Sequence, residues 1–340
     1  MKLKSSHIVF FGLVILLFIL AFLNVRYGSV TISLKEFVDI IVGNSQDELL
    51  QTIIFSIRLP EVITAITAGA GLALSGLLLQ TLFRNPLTGP SILGISSGAS
   101  LGVALVILSG AVSYFGFNPW LEGLSVSIAG MLGAMSVLGV IVLIARKMTS
   151  TVALLIIGLM MGYLVSAMVS VLLYFSNQES IQSYVYWGMG SFSDVQGASL
   201  YLQSFVVLLG AAAMLFKTNV LNVLLLGNRY AQNLGVNVKR EFLILIIVSG
   251  ILAGVITSFC GPIAFLGMAV PHLVRSAFKS GNHTILIPGC LLIGACLALL
   301  CNLLADMPWS TLALPINAIT PLFGAPVVMA LIFKRKQYHS

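Results

Sequence analysis

Along the chain, apolar runs alternate with short polar or Gly/Pro joints. The runs fall at roughly 8–25, 61–82, 91–112, 120–145, 151–175, 198–216, 242–260, 262–278, 284–303 and 316–333. An α-helix needs roughly 20 apolar residues to cross the hydrocarbon of a bilayer, and most of the runs are near that length. The pattern predicts ten spans in a single all-α transmembrane domain over 1–340. Only Gly261-Pro262 divides the run at 242–260 from the next. Lys2 and Lys4 precede the first run as in a secretory signal, but no small-x-small cleavage site follows, so an uncleaved anchor is expected. Glycine recurs at four-residue spacing in Gly94-x-x-x-Gly98-x-x-x-Gly102 and Gly250-x-x-x-Gly254. Small residues let helix backbones approach closely, which suits a packed transporter or channel bundle better than a lipid-facing anchor.

Three joints carry more pattern than a connection needs. In 28–60, Ser33-Leu34-Lys35-Glu36 has the form of a capping box, and Phe37, Val38, Ile40 and Ile41 follow on a helical period. A short amphipathic helix at the membrane interface is predicted there. The joint from Asn177 to Val195 holds Tyr184, Tyr186 and Trp187, rings suited to the headgroup level or to a docking partner. The segment from Lys217 to Glu241 is long and polar, with Gly227, Ala231 and Gly235 evenly spaced around Arg229 and Gln232. It predicts two short helices with a small-residue face over which another protein's groove can close. A loop of about 25 residues in so economical a chain points to function.

Composition sharpens this picture. Of 340 residues, 59% are hydrophobic and 8% charged, and a soluble domain carries about a quarter charged residues. A water-exposed globule is excluded. The net charge of +7 does not signal nucleic acid, because the cations sit in small groups between apolar runs. If both termini are cytoplasmic, the inside segments hold Lys2, Lys4, Arg84, Arg146, Lys147, Lys217, Arg229, Lys239, Arg240, Arg275, Lys279, Lys334, Arg335 and Lys336. The outside keeps Arg26, Lys35 and Arg58, and this split of 14 to 3 sets the expected orientation. Nine of the ten acidic residues fall outside, with Glu241 the exception. Cys260, Cys290, Cys296 and Cys301 lack the paired spacing of a metal or redox site and read as core thiols, so no cofactor is expected.

The energy source is absent from this chain. No Gly-x-x-x-x-Gly-Lys-Ser/Thr loop occurs, so ATP binding of that kind is excluded. Glu61, Glu241 and Asp306 lie at span ends, leaving no mid-span carboxylate for an ion-coupled secondary transporter. A membrane-embedded enzyme is disfavoured further, because no His/Glu metal pair or acidic cluster is visible. His272, after Pro271, reads as a structural hydrogen-bond donor.

Several stretches resemble one family. They are Arg58-Leu59-Pro60, then Gly76-Leu77-Leu78-Leu79-Gln80-Thr81-Leu82-Phe83-Arg84-Asn85-Pro86-Leu87, Gly94-Ile95-Ser96-Ser97-Gly98-Ala99 and Tyr186-Trp187-Gly188-Met189-Gly190. The series continues with Leu234-Gly235-Val236, Gly261-Pro262-Ile263-Ala264-Phe265-Leu266-Gly267 and Pro271-His272-Leu273-Val274-Arg275, and ends with Leu314-Pro315-Ile316-Asn317-Ala318-Ile319-Thr320 and Gly324-Ala325-Pro326. In order and spacing they resemble the FecCD family, the permease subunits of ABC importers for iron-siderophore complexes, haem and vitamin B12. The resemblance implies the BtuC-like, type II importer fold of ten helices. It also implies a bacterial cytoplasmic-membrane location and a permease dimer, formed with a second copy or a homologous permease, among membrane lipids. Two copies of an ABC ATPase would bind on the inner side and a substrate-binding protein on the outer side.

The same match assigns roles residue by residue. Residues about 219–236, with Gly227, Arg229, Ala231 and Gly235, resemble the coupling helices that sit in a cleft of each ATPase. Asn85, Leu87 and Thr151 fall where the family narrows its cytoplasmic gate, although Asn85-Pro86 is also a good turn. Arg58, Glu61 and Ser310 fall where members dock the binding protein. Two family arginines are replaced here by Glu61 and Ser310, and a glutamate before the last Leu-Pro is replaced by Ala313, so docking is expected to use altered contacts. The expected function is import of an iron chelate of siderophore type by alternating access, with haem or vitamin B12 as the alternatives.

Overall fold

A computed structural model describes residues 2–28, 30–43, 47–110, 119–148, 150–306 and 314–336. Each predicted apolar run is occupied by a helix. The chain opens with α1 (Lys2–Arg26), followed by α2 (Leu34–Val42) and a short α3 (Glu48–Thr52). The capping box at α2 forms as read: the Glu36 N–H donates to Ser33 Oγ at 3.2 Å, and the Ser33 N–H donates to the Glu36 carboxylate at 2.8 Å. A π-helical stretch over Ile53–Arg58 joins α3 to α4 (Leu59–Phe83). The middle of the chain comprises α5 (Ile95–Ile107), α6 (Pro119–Lys147), α7 (Thr151–Phe175), α8 (Gln178–Met189) and α9 (Ala198–Phe216). Two short helices follow, α10 (Thr218–Leu225) and α11 (Asn228–Asn233), where the small-residue spacing predicted them. The chain ends with α12 (Val238–Cys260), α13 (Leu266–Phe278), α14 (His283–Ala305) and α15 (Ile316–Lys336).

Among the described residues, seven helices are long and apolar enough to cross a membrane. The runs at 91–112 and 262–278 differ from expectation, since α5 and α13 have 13 residues each. At 1.5 Å per residue each covers about 20 Å, short of the ~30 Å hydrocarbon thickness. Local chemistry explains the shortening. Pro90 starts a 3₁₀ turn over Pro90–Leu93 that ends on Gly94 at φ 73°, and Gly261 at φ 75° with Pro262 and Phe265 at φ 66° delays the start of α13. Backbone that leaves helical geometry at membrane depth is tolerated only inside protein or along a cavity, and Leu93, Gly94 and Gly261 are buried.

At the centre lies α4, packed by α14, α12, α13 and α9, while α5 and α6 pair beside it and lean on α12. The contacts are backbone to backbone. A β-carbon on Gly76 would overlap the carbonyl oxygen of Gly267, one on Gly69 that of Gly294, and one on Gly102 that of Ala129. Glycine at the sequence-marked positions 94, 98, 102, 250 and 254 is likewise met by neighbouring atoms. Several polar side chains within the bundle pair with one another: Ser75 and Ser249 hydroxyls meet at 2.7 Å, and Gln203 donates to Thr67 Oγ1 at 2.9 Å. The four cysteines are free thiols and buried, as read from the sequence.

Because no side chain at Gly76 or Gly102 fits without separating two helices, Gly76→Val and Gly102→Leu should each cost about 3 kcal/mol or prevent assembly. Yield and thermal unfolding in detergent measure this, with Gly139→Val, where nothing lies within 4 Å, as the tolerated control.

Candidate functional site

The two ends of α4 define two regions. At the end near Phe83 the chain forms an elbow over 217–241. Gly227, at φ 119°, turns α10 into α11, and Gly235, at φ 81°, closes α11. Both lie in open space, with nothing within 4 Å of a built β-carbon, so they serve the backbone path. Lys217 Nζ donates to both Glu241 oxygens at 2.7 and 2.6 Å, tying the two ends of the elbow together. That pair accounts for the one acidic residue on this side.

The expected small-residue face is corrected by the side chains. Ala231 is 0% exposed and points into the fold. What the elbow presents instead is Leu226 (63% exposed), Tyr230 (66%) and Leu234 (60%), with Arg229 also exposed. These residues were missed by small-residue spacing. The available signal was apolar side chains inside the most polar joint of the chain.

Beside the elbow lies the 84–94 loop. Asn85 Oδ1 accepts from the Leu87 N–H at 3.0 Å and the Asn85 carbonyl accepts from the Thr88 N–H at 3.2 Å, a tight turn. His272 Nε2 meets the Pro86 carbonyl at 2.7 Å and donates to it, in keeping with the structural role read for His272. Gln80 links this wall, donating to the Met268 carbonyl at 3.1 Å while accepting from Arg275 at 2.7 Å. Asn85 is half-buried and Leu87 is exposed. Thr151 opens α7 behind its cap, Ser150, whose Oγ accepts from the Ala153 N–H at 3.2 Å. The loop meets α7 where a β-carbon on Gly158 would press on Ile92 and Leu93, about two turns along from Thr151.

At the far end of α4, Arg58 is 6% exposed. Its guanidinium donates to the carbonyls of Val25 at 2.6 Å, Arg26 at 2.9 Å and Val30, clasping the end of α1 and the chain beyond it. Arg58 is thus an internal strut rather than a charge offered to a docking protein. Glu61 accepts from Asn302 Nδ2 at 2.9 Å; Asn302 also donates to Asn24 Oδ1 at 3.1 Å, so α4, α14 and α1 are joined. Ser310 lies outside the described residues. Asn317 is a second clasp, donating to the carbonyls of Gly188 at 3.1 Å and Pro262 and accepting from the Ala264 N–H at 3.1 Å. Nearby, a cavity of about 810 Å³ is lined by Ser183, Ser191, Ser193, Ser199, Ser258 and Asp194 together with Tyr186 and Trp187. Among the described residues, no group of three or more His, Cys, Asp or Glu side chains is placed to hold a metal ion.

A bundle of apolar helices locked by polar clasps at one end, with an exposed elbow at the other, has the build of a polytopic transport subunit. Residues 15–334 match the FecCD transport family, and the chain belongs to it. It is 35% identical over 329 residues to the hemin transport system permease protein HmuU of Yersinia pestis, with 96% of each chain covered. It is also 35% identical over 336 residues to the molybdate import system permease protein MolB of Haemophilus influenzae, covering 97% of this chain and 96% of that one. The vitamin B12 import system permease protein BtuC of Salmonella choleraesuis is 33% identical over 284 residues, 83% of each. A solved metal-chelate type ABC transporter in an inward-facing conformation superposes with a TM-score of 0.82 at 34% identity, covering 96% of this chain and 99% of that one. The chain is therefore an ABC importer permease of this family.

The strut geometry of Arg58 gives a test. Arg58→Ala strands three backbone carbonyls and should lower stability by about 2 kcal/mol. Arg58→Glu should be no better, and reversed charges on a binding protein should not restore uptake, because the defect is internal. Thermal unfolding and a charge-swap uptake assay check both halves.

Proposed function

We propose that this chain is the membrane subunit of an importer for an iron chelate of siderophore type, driven by two ATPase copies on the elbow and fed by a substrate-binding protein at the far end. The observation that carries the reading is the exposed Leu226, Tyr230 and Leu234 beside Arg229. An apolar cluster rimmed by charge on a polar loop is an interaction surface, and here it sits at the end of the bundle to which the cation count assigns the cytoplasm. Both termini are then cytoplasmic, the permease dimerises, and Asn85, Leu87 and Thr151 bound the inner gate. Gly227 and Gly235 shape the docking surface, while Arg229 supplies charge and Ala231 anchors it from beneath. The binding protein meets the far rim near Glu61 and Ser310, with Arg58 holding the scaffold below.

Cargo chemistry favours a self-shielded chelate. The lining of the far-end cavity has hydroxyls, aromatic rings and Asp194, and no Lys or Arg, so a bare oxyanion finds no counter-charge there. Its volume lies in the range of small-molecule sites, ~300–1,000 Å³. Haem is the second reading, favoured by the HmuU relative.

Cells depending on this permease, its ATPase and its binding protein should take up a labelled ferric siderophore and not molybdate. Uptake of molybdate alone, or of haemin alone, rejects the siderophore assignment. Independently, Tyr230→Asp with Leu234→Asp should reduce ATPase co-purification at least tenfold, equivalent to about 1.4 kcal/mol, while the permease remains folded. Unchanged co-purification removes the elbow as the docking surface.

A further inference from the structure

We propose that Arg84 is the positioning residue through which the elbow moves the 84–94 loop, an inference that rests on reading 217–241 as the ATPase-docking segment. Arg84 Nη2 donates to the Leu224 carbonyl at 3.1 Å and to Asn228 Oδ1 at 2.9 Å. These acceptors stand on either side of Gly227, the turn between α10 and α11. One nitrogen therefore spans the hinge, and a change in the hinge angle cannot leave both bonds in place unless Arg84 follows.

The backbone supplies an independent sign. Arg84 ends α4 in the left-handed region, at φ 48° and ψ 30°. A β-carbon is strained there, and glycine is the residue that avoids the strain. An arginine held in glycine's conformation points to a use for its side chain. Its main chain runs directly into Asn85 and Leu87, and the turn closed by Asn85 is too short to absorb a displacement by flexing. The opposite anchor of that turn is the Pro86 carbonyl on His272. A pull on the guanidinium is thus converted into rotation of the loop about that anchor.

The neighbouring link behaves differently. Asn222, on α10, accepts from the His283 N–H at 2.8 Å, and the His283 ring meets both Asn222 Oδ1 and Thr81 Oγ1, at 3.0 and 2.8 Å. His283 is fully buried, so this link fixes α10 to the body of the bundle. Beyond it, the chain turns at Gly227, where nothing lies within 4 Å of a built β-carbon, and α11 rests on the fold through the buried Ala231. A cavity of about 20 Å³ between Thr81, Arg84, Leu224, Asn228 and Phe242, room for about one water, leaves the junction unjammed.

The test needs no cargo. In the permease–ATPase complex reconstituted in nanodiscs, Leu87→Cys is labelled by a charged maleimide with and without ATP and vanadate; the four native cysteines are buried and stay silent. In the Arg84 parent, nucleotide should change the labelling rate several-fold. Arg84→Gly relieves the backbone and removes the link, so the complex should assemble and hydrolyse ATP while the labelling rate no longer responds. Arg84→Lys, which keeps one donor group, should recover part of the response. An Arg84→Gly complex that responds like the parent overturns the inference. A parent that assembles with no ATPase overturns the docking reading first and takes Arg84 with it.

Discussion

Everything in this bundle depends on backbones touching at α4. Between helices in lipid there is little hydrophobic drive, because a lipid tail is as apolar as a leucine, so association rests on contact quality and internal hydrogen bonds. Gly69 and Gly76 let α14 and the start of α13 come against α4 at carbonyl distance. With α12 and α9 also on it, α4 is a wedge that no neighbour can leave without opening the others. The candidate site residues stand on its two ends: Arg58 and Glu61 at one, Arg84 and Asn85 at the other. Their relative positions are inherited from one stiff rod.

The polar side chains along that rod follow the same logic. Thr64, Ser75, Gln80 and Thr81 are buried, and each has a partner on another segment: the Val195 carbonyl, Ser249, Met268 with Arg275, and His283. A hydroxyl or amide left without a partner in this setting costs a few kcal/mol, so these pairs select one register of α4 against its neighbours. They are uncharged except for Arg275. That economy suits a permease subunit in which polar groups serve to fix helices.

How much of this was readable without coordinates follows from what hydropathy measures. Hydropathy sums composition over a window, so it located the long apolar helices but not α3 or α8, and the small-residue spacing at 94–102 and 250–254 located real close contacts. It does not register where within a run the helix begins, which is why 91–112 and 262–278 read as full spans although their helices start only at Ile95 and Leu266. Nor does it say which way a side chain points. The family resemblance assigns Arg58 to binding-protein docking, yet its guanidinium turns inward to three carbonyls. Ala231 read as part of a docking face because of its size, yet it packs beneath the surface that Tyr230 and Leu234 form. The family match assigns a gate and an elbow to two stretches of chain, but the contacts between those stretches join residues about 140 apart, a pairing that no local pattern encodes.

Stiffness and compliance are then divided as the proposed alternating access requires. A force on the elbow is useful only if it is not dissipated in the bundle and not blocked at the hinge. The bundle meets the first condition through contacts that admit no extra atom. The elbow meets the second by placing glycine, with open space around it, at 227 and 235. Between them the chain must pass from compliant to stiff within a few residues, and Lys217–Glu241, His283–Asn222 and Arg84–Asn228 are the cross-links at that boundary. The first two join the elbow to parts of the bundle that are already fixed. Arg84 joins it instead to the 84–94 loop, which His272 anchors at Pro86 and which packs on α7 at Ile92 and Leu93, so under the proposed coupling motion of the elbow acts first on the residues next to Arg84.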